Sequence, residues 1–221
     1  PGGLTGTPII ILKEGSTRNR GKQAQERNIQ AARIIAQVVK ATLGPQGLDK
    51  MLVDSLGDLT ITNDGYEILK EIDVEHPAAK MIIEIAETQD AEVGDGTTTA
   101  VLLAGDLLSH AQELLTKNVH ATTIVGGFRK AAAKALEILD EVAVEVDLSD
   151  HATLKNVALT SMQGKVIDLA SDHFAEIAIA AVMQVRDTID GQDRADKDDI
   201  QIVKKTGKSL FDTQLIQGVI L

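Results

Sequence analysis

Val93-Gly94-Asp95-Gly96-Thr97-Thr98-Thr99-Ala100 is the stretch whose residue types and spacing come nearest to chemistry. Glycines on either side of Asp95 let the backbone adopt positive φ and let a bulky anion approach closely. Thr97 to Thr99 then stand where a helix begins. Unpaired N–H groups, hydroxyls and the positive end of the helix dipole converge there on one point, which suits a phosphate. A carboxylate beside phosphate is repelled unless a divalent cation lies between them, so Asp95 asks for Mg-nucleotide rather than bare phosphate. An ordinary Asp-Gly turn ahead of a threonine helix cap has the same sequence, and local chemistry alone leaves both readings standing.

Two further stretches gain meaning only beside such a site. Leu43-Gly44-Pro45-Gln46-Gly47 is a helix C-terminus turned sharply by two glycines and a proline. Its backbone N–H groups can meet a phosphate or ribose, although ending a helix is the plain reading. Asn63-Asp64-Gly65 is ordinary turn chemistry by itself; near a Mg-phosphate site, Asp64 would orient water or bind a cation through water.

Other patterns fail on spacing. Thr206-Gly207-Lys208-Ser209 has Ile202 where a Walker loop needs its first glycine, and Thr99 stands where the dinucleotide fingerprint needs its third. The acidic residues 190–196 are in the wrong order for a calcium loop, and the histidines at 76, 110, 120, 151 and 173 lack metal-ligand spacing. There is no nucleophile elbow.

The elements that must position these residues follow from periodicity. A short β-branched strand is expected at 8–13, followed by a helix over 23–43 with Ile29, Ala32, Ala36, Val39 and Leu43 on one face. Alternation across 51–62 predicts a β-hairpin. Helices are predicted over 66–71, 76–91 and 97–117, the last central and buried through Ala100, Leu103, Ala104, Leu107, Leu108, Ala111 and Leu114. After a turn with Thr122 or Thr123 as N-cap, a long helix to about Val146 is expected to point Ile124, Phe128, Ala131, Ala135, Leu139 and Val142 inward. A domain boundary is placed at 147–150. Helices over 152–159 and 166–185 follow, then an acidic turn-rich stretch 187–199 and strands at 200–203 and 213–221. The final Gly218-Val219-Ile220-Leu221 reads as a cut, because an unpaired apolar edge is a poor ending.

With 221 residues, 43% of them hydrophobic and 25% charged, the chain reads as soluble and globular. Tyr66, Phe128, Phe174 and Phe211 are its only aromatics, so aliphatic side chains must fill the core and base-stacking platforms are not expected. A net charge of −11 disfavours nucleic acid and anionic membranes as partners. The basic residues Arg18, Arg20, Lys22 and Arg27 are read as a solvated face. The absence of cysteine excludes disulfides and thiolate metal sites, and without a signal peptide or an apolar run of spanning length a cytoplasmic location is expected.

Taken in order, residues 43–52 (Leu43-Gly44-Pro45 onward), Thr60 to Gly65, Val74-Glu75-His76-Pro77-Ala78-Ala79-Lys80 and Val93 to Ala100 closely resemble the group II chaperonins, of the archaeal thermosome kind. The likeness runs from Ile11-Leu12-Lys13-Glu14-Gly15 to Asp212-Thr213-Gln214. It implies a mainly α fold with small β elements. Residues 1–147 would be the first half of an equatorial ATP-binding domain, 148–217 the first segment of an α/β intermediate domain, and 218–221 the start of an apical domain.

The resemblance also implies that ATP and Mg2+ are the cofactors. Leu43, Gly44 and Pro45 would line the nucleotide pocket, Asp95 would hold the metal, and Gly96, Thr97, Thr98 and Thr99 would bind phosphates. Asp64 would be the catalytic residue positioning water. Residues 160–165, Thr160-Ser161-Met162-Gln163-Gly164-Lys165, resemble the family's nucleotide-sensing loop, with Gly164 in the site and Lys165 reaching the γ-phosphate. Implied partners are like subunits in a double ring and unfolded protein clients.

Gln46 departs from the lysine usual in relatives. A larger departure is that the returning half of a chaperonin, with a third aspartate as likely base and a glycine pair, lies outside these residues. Three functions remain in view: an ATP-driven folding machine, a truncated nucleotide-binding helical module that does not hydrolyse, and a plain helical scaffold. An isolated polypeptide of this length is expected to turn over little and to dissolve poorly.

Overall fold

The computed structural model describes residues 19–54, 56–165, 167–189 and 191–218. The strand expected at 8–13 therefore lies outside the described residues. Helix α1 (Lys22–Lys40) buries Ile29, Ala32, Ile35, Ala36 and Val39 at the spacing of one helical face. A loop then leads into an antiparallel hairpin of β1 (Lys50–Val53) and β2 (Leu59–Thr62), with Lys50 opposite Thr62 and Val53 opposite Leu59. Asp54 holds the hairpin turn through one carboxylate oxygen that accepts the N–H groups of Leu56 and Asp58.

Three helices complete the first packed group: α2 (Gly65–Lys70), α3 (Pro77–Val93) and α4 (Thr97–Thr116). Helices α1, α3 and α4 pack on one another in all three pairings, and α2 fills in beside them. Their shared core is aliphatic, with Val39, Ile68, Leu69 and Val101 fully buried. Helix α4 is central, as expected, but the buried face differs from the apolar stripe read in the sequence. Thr97, Val101, Gly105 and Ala111 are buried, whereas Leu103, Leu107 and Leu114 are exposed. Gly105 explains the choice: a Cβ there would collide with the Ala36 Cβ of α1, so the small residue lets two backbones approach closely.

Helix α5 (Ala121–Val142) begins on His120, whose Nδ1 accepts the Thr122 N–H, so the cap is neither Thr122 nor Thr123. Of its expected inward set only Ile124 is buried; Phe128 is half-buried, while Ala131, Ala135, Leu139 and Val142 are exposed. Periodicity marks the face a helix can bury, and among its described residues α5 buries only Ile124, near its start.

After a turn in which Asp147 accepts from Ser149, α6 (His151–Met162) starts on Asp150 as N-cap. A 3-10 turn at Asp168–Ala170 leads into α7 (Ser171–Val185), and the two helices pack together. Lys155 on α6 bridges Asp172 and Glu176 on α7 at 2.9 and 3.0 Å. The acidic stretch read as turns is a second antiparallel hairpin, β3 (Arg186–Ile189) and β4 (Gln192–Ala195). The Asp190-Gly191 pair between its strands is a hairpin signal, but the charged strands alternate in nothing that periodicity detects. Residues 200–203 and 213–218 form no strand, having no described neighbour to pair with; 219–221 lie outside the described residues.

Candidate nucleotide site

Three turns from distant parts of the chain converge on one pocket of about 230 Å³. The first leaves α1: Thr42 is buried with its hydroxyl on the Val39 carbonyl, and Leu43, Gly44 and Pro45 follow along the pocket wall. The second connects β2 to α2. Asp64 is the N-cap of α2, and its Oδ1 accepts from Tyr66 N at 2.9 Å and Glu67 N at 3.1 Å. Asp64 Oδ2 has no protein partner among the described residues.

The third turn connects α3 to α4 through Gly94 and Gly96, both left-handed at φ 73° and 76°. Between them the Asp95 carbonyl accepts from Gln89 Nε2 at 2.9 Å, and its Oδ1 accepts from Gly96 N at 2.8 Å. No side chain caps the N-terminus of α4, so the amides of Thr97, Thr98 and Thr99 begin a helix with its positive end open to the pocket. The second and third turns are locked side by side because Gly65 lies against Thr98, where a Cβ would fall on the threonine hydroxyl.

The loop after α6 closes the remaining side with Thr160, Ser161, Gln163 and Lys165. Gly164 sits behind this wall at φ 75°, so close to Pro45 that a Cβ would come within 2.9 Å of the proline carbonyl oxygen. Its own carbonyl accepts from Asn63 Nδ2 at 2.5 Å. Lys165 Nζ stands 3.8 Å from Asp95 Oδ1.

Leu43, Gly44, Pro45, Asp64, Asp95, Gly96, Thr97, Thr98, Thr99 and Lys165, single residues of separate motifs in the sequence, thus line one cavity, and Gly164 is packed against it. A sequence model of the TCP-1/cpn60 chaperonin family matches residues 35–221, a span that takes in all of these residues. The chain belongs to that family.

Among curated chaperonin relatives, thermosome subunit alpha of Archaeoglobus fulgidus is 55% identical over 218 residues. Thermosome subunit beta of the same organism is 56% identical, and thermosome subunit beta of Thermococcus kodakarensis 54%. Each alignment covers 99% of this chain and 40% of the relative, so the chain spans about 40% of the length of the chaperonins it matches.

Two chaperonin pocket residues carry a signal that the sequence reading passed over. Thr42 lies just before the Leu-Gly-Pro turn, and Asn63 was read only as part of a turn. Each histidine is used locally: His76 and His120 cap helices, His110 lies on the Asp106 carbonyl, His151 on Glu176 and His173 on the Thr213 carbonyl. Among the described residues no group of three or more His, Asp or Glu side chains could hold a metal by themselves. No described helix is long and apolar enough to cross a membrane.

Proposed function

We propose that this chain carries the nucleotide site of a chaperonin subunit and that Mg-ATP binds in the pocket. The observation that carries the reading is the convergence of the Leu43–Pro45 turn, Asp64, the Asp95–Thr99 turn and Lys165 on one cavity. Its donors suit a polyphosphate: an uncapped helix N-terminus, three threonine hydroxyls and an ammonium group. Asp95 is the residue to hold the cation. One carboxylate is enough, since Mg2+ takes its other ligands from water and phosphate oxygens.

Held by Asp95, the cation would supply neutralisation of the charge that develops on transfer of the γ-phosphoryl group. Asp64 uses Oδ1 to cap α2, and Oδ2 remains to orient a water for in-line attack. The α4 amides and the hydroxyls of Thr97 to Thr99 hold phosphate oxygens, and Gly44 and Pro45 confine the rest of the nucleotide. Lys165 pairs with the terminal phosphate and loses that partner on hydrolysis and release. Its loop leads toward α7, so the change is passed out of the pocket.

On this reading residues 1–147 are equatorial, 148–217 intermediate and 218–221 the threshold of an apical domain. Like subunits stack as a double ring in the cytoplasm, and hydrolysis drives ring closure over unfolded clients. The test is equilibrium binding of ATP with and without Mg2+ to the complete natural polypeptide, together with phosphate release. Mg-dependent binding with turnover supports the proposal. Binding without turnover reduces it to a nucleotide-binding module, and indifference to nucleotide overturns it.

A further inference from the structure

Asn63 is a turn residue with no role in the reading above, yet it makes a bond that no other among the described residues duplicates. Apart from the connecting stretch 147–150, its Nδ2 to the Gly164 carbonyl is the one hydrogen bond among the described residues between the first packed group and the second. Among the described residues the one ion pair across the same junction is Lys165 to Asp95, on the next residue. Gly164 also packs directly against Pro45 of the first group, with no room for a Cβ. Three constraints therefore meet at a single residue: a left-handed φ of 75°, a backbone contact too tight for any side chain, and an amide donor aimed at its carbonyl.

The direction of control follows from what holds each partner. Asn63 sits between β2 and the capped start of α2, a segment fixed by the hairpin and by the Asp64 cap. Residues 163–165 belong to a loop, whose own ties among the described residues are Lys165 N on the Met162 carbonyl, Asp168 N on the Lys165 carbonyl at 2.9 Å and Gly164 N on Asp168 at 3.4 Å. Between a braced donor and a loop, the donor sets the position. A long, flexible lysine loses rotamer freedom when it engages a phosphate, and fixing its backbone beforehand lowers that cost.

We infer that Asn63 is a positioning residue: by clasping the Gly164 carbonyl it holds Lys165 over the pocket, and so sets how strongly the site distinguishes a nucleoside triphosphate from a diphosphate. The inference rests on the proposed nucleotide site. It extends that reading to a residue that itself need touch no phosphate.

The test measures binding of ADP and of a non-hydrolysable ATP analogue, each with Mg2+, to the complete natural polypeptide and to Asn63→Ala, Lys165→Ala and the double variant. Asn63→Ala is expected to weaken the analogue by about three- to tenfold, the scale of one lost hydrogen bond, and ADP by less than about twofold. On the Lys165→Ala background it should change neither, because the residue it positions is gone. Trypsin cleavage after Lys165 should be faster in Asn63→Ala before nucleotide is added. Equal weakening of both nucleotides, or additive effects in the double variant, would overturn the inference. Should Asn63→Ala not fold, Asn63→Leu keeps much of the shape, removes the donor without placing a new charge beside the phosphates and is held to the same outcomes. Failure of the unaltered protein to bind either nucleotide defeats the proposed function and this inference with it; normal binding that ignores Asn63 defeats the inference alone.

Discussion

Lys165 Nζ faces Asp95 Oδ1 at 3.8 Å across the pocket, joining the loop after α6 to the turn before α4. Both side chains are partly exposed, at 39% and 55%, so the pair itself adds little stability. Lys165→Ala should therefore leave Tm within about 2 °C of the unaltered protein. Its effect belongs to ligand binding, where affinity for a non-hydrolysable ATP analogue should fall by about tenfold and affinity for ADP much less. Titration with both nucleotides decides the matter, and an equal loss for the two would remove Lys165 from the terminal phosphate.

Asp64 and Asp95 should separate by function. Asparagine caps a helix as well as aspartate does, so Asp64→Asn keeps the Oδ1 bonds to Tyr66 and Glu67 and the start of α2. Phosphate release should drop by a factor of about 100 or more while Mg-dependent binding stays within about threefold. Asp95→Asn should instead weaken Mg-dependent binding at least about tenfold. Steady-state release and equilibrium titration on the two variants would expose a reversal of these roles.

Gly105 lies against Ala36 where α4 meets α1, with no room for a Cβ. Gly105→Val forces a branched side chain onto Ala36 and should cost roughly 1–3 kcal/mol or more. Leu107→Val on the exposed side of the same helix should change stability by less than about 0.5 kcal/mol. Denaturant unfolding of both gives the comparison; similar losses would mean that the α1–α4 contact is looser than the structure has it.

The junction of α6 should respond to pH in opposite senses at its two charged ties. Hydrogen bonds from the Thr153 side chain and then its backbone hold the Asp150 carboxyl below the ordinary 3.8. A depressed carboxylate contributes stability that is present above that ordinary value and lost as pH falls through the folded one. Lys155 is raised above 10.5 by its bonds to Asp172 and then Glu176, so its contribution holds below that pH and fades as pH climbs past it. In thermal scans, the advantage of the unaltered protein over Asp150→Ala should shrink toward pH 2. Its advantage over Lys155→Met should instead shrink above about pH 11. A gap that stays constant with pH would show that the charge on that group is not what its bonds respond to.

Much of this molecule is written locally. The 3.6-residue period of α1, the alternation of β1 and β2 and the Gly94-Asp95-Gly96 turn each depend on a few neighbouring residues, so each was legible before any packing was known, although α1 ends at Lys40 instead of running to the Gly44-Pro45 turn and leaves Leu43 exposed. The turns at 43–47, 63–65 and 93–100 were legible in the same way, as chemistry that suits phosphate, whereas Gly164 and Lys165 entered only through the family resemblance.

Tertiary contact decided the rest. Which side of α4 is buried depends on a steric fit, Gly105 on Ala36, that hydrophobicity does not register. Most of the α5 stripe is exposed, because an amphipathic face says what a helix can bury and not what stands opposite it. The charged hairpin of β3 and β4 is held by backbone pairing that leaves no apolar alternation to read. Asn63 is the sharpest case. Its sequence context permits only a turn, and its tie to Gly164 exists because the fold brings together two segments 101 residues apart, a relation that no local propensity can encode.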